Sequence, residues 1–167
     1  MPDSPFRSNL IPNGMKGQET EVSGGVFDQA GKPIAGAILS VWLASPSGKY
    51  DNQDAAGNPI SIPPAQHVLR GRITADAVGY YSFTCLRPGN YSIGGGVYRP
   101  AHIHVKVEAP GFQTLITQLY FPDDRFNLKD LPGSGFFKPE LLVSFDGPTA
   151  PQPNVVLHGS FHFVLAK

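Results

Sequence analysis

The sequence predicts an all-β protein: an antiparallel β-sandwich with long loops and little helix. Three observations carry that expectation. Short apolar runs rich in Val, Ile, Tyr and Phe recur along the chain, several with strict alternation. The connectors between them are turn chemistry, as in Ala77-Val78-Gly79, Arg87-Pro88-Gly89-Asn90 and Ala109-Pro110-Gly111. Finally, 19 glycines and 17 prolines among 167 residues disfavour helix everywhere except Asp123 to Leu131.

In chain order, residues 1–20 carry Pro2, Pro5, Pro12, Gly14 and Gly17 with few apolar residues, and read as an arm over the surface or onto another subunit. Residues 21–167 read as one domain, long enough to bury a core without staples. Val22 to Phe27 is a strand, Asp28 to Pro33 a turn, and Ala37 to Leu43 a second strand. A long loop from Ala44 to Gln66 follows. Strands are then expected at Val68 to Thr74, Tyr80 to Leu86, Ala101 to Val107, Thr114 to Phe121, Leu141 to Ser144 and Val155 to Leu165.

Charge excludes some partners. Lys plus Arg equals Asp plus Glu at 13 each, so nothing favours nucleic acid or an acidic membrane surface. Met1 to Leu10 lacks the apolar centre of a signal peptide, and no run is long enough to cross a bilayer. The single cysteine, Cys85, sits in the apolar run Phe83-Thr84-Cys85-Leu86 and suits a reducing compartment. The expectation is a soluble, cytoplasmic protein.

The chemistry centres on Arg99-Pro100-Ala101-His102-Ile103-His104-Val105-Lys106-Val107. On an extended strand alternate side chains share a face, so both imidazoles project one way while Ile103, Val105 and Val107 pack behind them. The ordinary reading of a bare His-x-His is a half-polar strand face. Pro100 opens the strand and bends the chain, marking a shaped entry where two imidazoles can hold one metal. Two histidines are an incomplete shell. Tyr50 ends a strand-to-loop passage, and Tyr91 follows the Pro88-Gly89-Asn90 turn just upstream. Two phenolates with two neutral imidazoles suit iron(III), because two anionic ligands plus a hydroxide cancel its three charges. The ordinary role for a sandwich tyrosine is a ring with its hydroxyl at the rim, and Tyr80, Tyr81, Tyr98 and Tyr120 are left there.

These pieces fall in a family's order. Trp42 with Gly48-Lys49-Tyr50, Gly71-Arg72-Ile73-Thr74, Gly79-Tyr80-Tyr81-Ser82-Phe83, Arg87-Pro88-Gly89-Asn90-Tyr91, Arg99-Pro100-Ala101-His102-Ile103-His104 and Thr117-Gln118-Leu119-Tyr120-Phe121 resemble the intradiol ring-cleavage dioxygenases. The likeness is closest to the protocatechuate 3,4-dioxygenase type of catalytic domain and runs from about Glu21 to about Gly147. The helical N-terminal dimerisation region typical of catechol 1,2-dioxygenases has no counterpart in it. The resemblance implies that Tyr50, Tyr91, His102 and His104 bind iron(III), with Tyr50 and His102 equatorial and Tyr91 and His104 axial. It implies that Arg99 and Gln118 steer and polarise the substrate, and that Ile93 walls the pocket. It further implies that a catechol displaces Tyr91 and that dioxygen opens the ring between its two hydroxylated carbons, giving a cis,cis-muconate-type diacid. A homo- or hetero-oligomer is expected on the same ground.

Three departures stand beside the resemblance. Gly94-Gly95-Gly96 makes the segment before Arg99 short and glycine-rich. Strict alternation would turn Arg99 away from His102, so its reach depends on the bend at Pro100. Tyr98 competes with Tyr91 for the second phenolate. Two further readings compete with the whole assignment. The opening Gly25-Val26-x-Asp28-x-x-Gly31-x-Pro33 also occurs in transthyretin-like binding modules without chemistry. Gly96, His102, His104 and Glu108 match the first cupin motif, but Pro132-Gly133 is followed by no suitably placed histidine. His67, His158 and His162 are given no role, and neither the particular catechol nor the assembly is specified.

Overall fold

The computed structural model describes residues 4–54, 56–63, 66–131, 134–147, 149, 152 and 155–167. Pro2 of the arm and the Pro132-Gly133 step lie outside them. The strands in chain order are β1 (Glu19–Asp28), β2 (Ile38–Leu43), β3 (Arg70–Thr74), β4 (Tyr80–Leu86), β5 (Tyr91–Gly94), β6 (Val97–Arg99), β7 (His102–Glu108), β8 (Leu115–Tyr120), β9 (Ser144–Phe145), β10 (Leu157–Ser160) and β11 (Phe163–Leu165). They build two packed sheets and a separate hairpin. One sheet is antiparallel in the order β3-β2-β7-β8. In the other, β1 pairs antiparallel with β4 and, along its opposite edge, parallel with β10 and then β11, while β9 borders β10. The sandwich is therefore the expected one, with parallel pairings at its C-terminal strands. No helix among the described residues is long and apolar enough to cross a membrane.

Alternation makes the core. Along β7, Ile103, Val105 and Val107 are fully buried, facing Leu39, Val41 and Leu43 of the same sheet and Val22, Val26 and Phe83 of the other. Each such side chain contributes about 1.5–3 kcal/mol by leaving water. Cys85 is buried and free. Tyr81 and Tyr120 depart from the rim placement: both rings are fully buried, and the Tyr81 hydroxyl donates to Phe161 O at 2.8 Å.

Several boundaries differ from expectation for local reasons. Leu69 at φ +55° delays β3 to Arg70. The expected strand Val155 to Leu165 breaks at Phe161 and His162, because β1 carries Gly24 and Gly25 there. A Cβ on Gly24 would lie 1.8 Å from Phe161 O. The His162 imidazole instead enters the ladder, its Nδ1 accepting from Gly25 N–H at 2.9 Å. Asp123 to Leu131 makes only one 3-10 turn, Asn127–Lys129; another at Pro139–Leu141 takes the first residue of the expected strand Leu141 to Ser144, of which only Ser144 enters β9. The β5–β6 hairpin lies in the glycine-rich segment, and its turn requires the positive φ of Gly94, Gly95 and Gly96.

Residues of the arm close the sandwich. Arg7 N–H donates to Arg72 O of β3 and Arg72 N–H to Pro5 O; three residues on, Leu10 N–H donates to Thr84 O of β4 and Thr84 N–H to Ser8 O. The strap thus pairs with an edge of each sheet in turn. Leu10, left in the arm by the sequence reading, is 1% exposed and belongs to the core.

Candidate metal centre

The polar face of β7 looks away from the core, and strand register assembles the site on it. Arg70 of β3, Trp42 of β2, His104 of β7 and Gln118 of β8 form one continuous cross-strand row. His102 lies two residues away on the same face, opposite Tyr120. Loops and the hairpin cover this face. The loop after β2 brings Tyr50, whose hydroxyl is 3.3 Å from His102 Nε2 and 3.1 Å from His104 Nε2; the two Nε2 atoms are 3.1 Å apart. The Tyr91 ring stands 5.8 Å from that of Tyr50 and 5.9 Å from that of His102.

Each group is held from behind. His102 Nδ1 lies 2.7 Å from Pro100 O. A carbonyl only accepts, so Nδ1 carries the proton and Nε2 offers its lone pair to the cluster. The Trp42 indole stacks on the His104 ring at 4.8 Å and an interplanar angle of 3°. Beside Tyr50, the Asp51 carboxylate is ion-paired with Arg70 and accepts from Val68 N–H at 3.1 Å, with both charged side chains almost fully buried. Gly48, at φ +78°, lets this loop touch the turn before Tyr91: a Cβ there would be 2.6 Å from Asn90 O.

Burial dominates the electrostatics. It pushes His102 down to about 4, against the Pro100 hydrogen bond, and His104 down to about 3, with His102 and Arg99 adding to the effect. Both imidazoles are therefore neutral near pH 7. Burial, then the neighbouring Tyr91 phenol, raises the Tyr50 hydroxyl well above its ordinary value. A phenol so placed ionises only if a cation joins it.

Arg99 does reach this face. It ends β6 rather than opening β7, and it pairs with Tyr91 across the hairpin, so the two side chains share a side. Its Nη2 donates to Gln118 Oε1 at 2.6 Å. Nε and Nη2 donate to Asp130 at 2.5 and 3.0 Å, and the Tyr120 hydroxyl lies 2.8 Å from Asp130 Oδ2. Burial works against the Arg99 charge, and Asp130 together with the Tyr91 and Tyr120 phenols outweighs it, holding the guanidinium above its ordinary value. Tyr98 points the other way and stacks on Phe126 at 4.9 Å. Ile93 is half exposed and lines an open cleft of about 580 Å³ with Lys49, Gln53, Tyr98 and Tyr91; Tyr91 borders both that cleft and the cluster.

The donor set fits one transition-metal ion. Ligand atoms about 2.1 Å from a common ion and at right angles to each other lie about 3 Å apart, close to the spacing of Tyr50 Oη and the two Nε2 atoms. Among the described residues no group of three or more His, Cys, Asp or Glu can hold a metal, and the oxygen beside the two imidazoles is the Tyr50 phenol. Glu108, the carboxylate of the cupin alternative, is ion-paired to Lys106 at 2.7 Å at the far end of β7. His158 lies 3.1 Å from Glu21 on the other sheet, and the carbonyl of His67 accepts from Arg7.

Sequence reasoning missed three residues here: Trp42 as the backing of His104, Asp51 as the anchor beside Tyr50, and Asp130 as the partner of Arg99. The one available signal was electrostatic. A buried arginine requires a counter-charge, and Asp130 is one of the few acidic residues downstream of Arg99.

In sequence and fold the chain is similar to known proteins. The family model described as Dioxygenase matches residues 8–167. A catechol 1,2-dioxygenase of Candida albicans is 38% identical over 167 aligned residues, covering 87% of this chain and 51% of its own. A hydroxyquinol 1,2-dioxygenase of a Rhizobium species is 34% identical over 77% of this chain and 46% of its own. The chain thus spans about half the length of these curated relatives. Among solved structures, the dioxygenase domain of a dioxygenase–carbohydrate-binding fusion from Streptomyces sp. SirexAA-E superposes with a TM-score of 0.74 at 34% identity, covering 99% of this chain and 91% of that one. The 3-chlorocatechol 1,2-dioxygenase of Rhodococcus opacus 1CP gives 0.82 at 28% identity, covering 100% and 69%.

Proposed function

This chain belongs to the intradiol ring-cleavage dioxygenases, and from that premise we propose that it is an iron(III)-dependent enzyme. It would open a catechol-type ring between the two hydroxylated carbons with O2 and release a cis,cis-muconate-type diacid. What supports this reading most directly is the convergence of the Tyr50 phenol with two neutral imidazoles. Tyr50, Tyr91, His102 and His104 would hold the ion. When bound, iron(III) would supply a Lewis-acidic centre that a catecholate can chelate, rendering the ring carbons reactive toward O2.

The chain's own residues account for the rest. Tyr91 is the phenol at the border of cluster and cleft, so it would be the side chain that takes one of the two catechol protons on Oη, the other passing to a hydroxide. Arg99 and Gln118 supply the donors that orient the substrate and meet the negative charge that grows on its oxygens. An electrostatic role of this kind contributes about 3 kcal/mol to the transition state. Ile93 supplies apolar wall to the cleft beside Tyr91. We propose residues 21–167 as the catalytic domain with 1–20 as its arm, a cytoplasmic location consistent with the free Cys85, and an oligomer.

The test is aerobic incubation of the iron-loaded protein with catechol, protocatechuate and hydroxyquinol, reading products by mass and ultraviolet absorbance. The expected result is a wine-red protein that adds both atoms of O2 to at least one of the three. His102→Ala is expected to lose iron and colour, and Tyr91→Phe to alter the colour and slow the reaction. A protein that stays colourless after iron loading, or His102→Ala with full activity, overturns the assignment.

A further inference from the structure

We infer that Asp130 is a positioning residue for this chemistry: it locks Arg99 and, through it, turns the Gln118 amide so that both present N–H donors to the metal cluster. The inference rests on the functional reading above and adds a residue to it. Asp130 sits in the loop after β8, and its carboxylate is fully enclosed. Its two oxygens accept three hydrogen bonds, from Arg99 Nε, Arg99 Nη2 and the Tyr120 hydroxyl.

Counting hydrogens shows the consequence. Nε has one, and it goes to Asp130. Nη2 has two, one to Asp130 and one to Gln118 Oε1 at 2.6 Å. Tyr120 has one, shared between Asp130 Oδ2 at 2.8 Å and Gln118 Oε1 at 3.2 Å. The Gln118 oxygen is thereby occupied on the Arg99 side, which turns its NH2 the other way. Since Gln118 sits opposite His104 in the ladder, that NH2 belongs to the cluster's side. Among the described residues the Nη1 hydrogens of Arg99 meet no protein acceptor, so they too remain for a substrate oxygen. The Phe136 ring covers the guanidinium at 5.4 Å, limiting its freedom to turn. Without the carboxylate, a guanidinium with five donors has no unique pose, and neither does the glutamine amide.

The experiment compares Arg99→Gln, Asp130→Asn and the double variant with the parent, all iron-loaded. Asp130→Asn keeps the shape but replaces one acceptor oxygen with a donor. It is expected to retain iron and the visible band and to lose kcat about 10- to 100-fold, with KM moving less. The decisive comparison is the double variant. If Asp130 acts through Arg99, Arg99→Gln/Asp130→Asn turns over as fast as Arg99→Gln within about threefold; losses that multiply instead overturn the inference. Arg99→Gln alone leaves a buried carboxylate unpaired and can fail to fold, so a second reading does not depend on turnover. In the parent, the Arg99 Nε–H resonance is expected to resist solvent exchange and to lose that protection in Asp130→Asn; equal protection in both also overturns the inference. If the parent opens no catechol at all, the functional reading fails by itself, and the resonance still decides whether Asp130 holds Arg99.

Discussion

His102 and His104 are imidazoles that the fold keeps neutral, and that has a cost in acid. Their folded-state values, about 4 and about 3, lie below the ordinary 6.5. The unfolded chain therefore takes up protons first as pH falls, so their stabilising contribution is whole above pH 6.5 and drains away toward about pH 4 for His102 and about pH 3 for His104. For chelator-treated protein, urea midpoints are expected to fall steadily between pH 6.5 and 5, by up to about 1.4 kcal/mol per pH unit for each imidazole. The His102→Ala/His104→Ala pair should flatten that slope; an unchanged slope would mean the imidazoles are not the cause. These two residues were legible because alternation on one strand is a local signal. Trp42 and Asp130 were not, since what gives each its role lies on another strand or loop: the face of Trp42 meets His104 only through the β2–β7 register.

At the scale of elements, the cross-strand row from Arg70 to Gln118 explains how distant segments meet. The chain can be read for strands: six of the eight expected ones correspond to single observed strands within a few residues, and Val155 to Leu165 is divided into β10 and β11. Register across a sheet is not written in any one of them. Leu141 to Ser144 shows a different failure: Pro139 favours the start of a 3-10 turn, and a two-residue strand is all that follows. The hairpin escaped because three consecutive glycines read as a loop, whereas their positive φ angles are what close it. Arg70 also anchors the Tyr50 loop through buried Asp51. Asp51→Ala leaves a buried guanidinium without that partner, and is expected to cost about 3–5 kcal/mol in urea unfolding and to weaken iron binding with it. A loss under 1 kcal/mol would show that the pair does not carry the loop.

For the molecule as a whole, the strap of residues 5–10 joins the two sheets along their exposed edges, β3 on one and β4 on the other. Covering those edges removes open backbone groups that would otherwise recruit another chain. Composition alone made this segment an arm, and missed that a single leucine within it fills the core. Leu10→Ala is expected to destabilise by about 2–5 kcal/mol and to lower the thermal midpoint; a change within error would return the segment to the status of a surface tail. Trp42, the only tryptophan in the chain, lies flat against His104. Its fluorescence is therefore a built-in gauge of the centre: titrating ferric ion into the apoprotein should quench the emission in step with the growing visible band, with no dye or label attached.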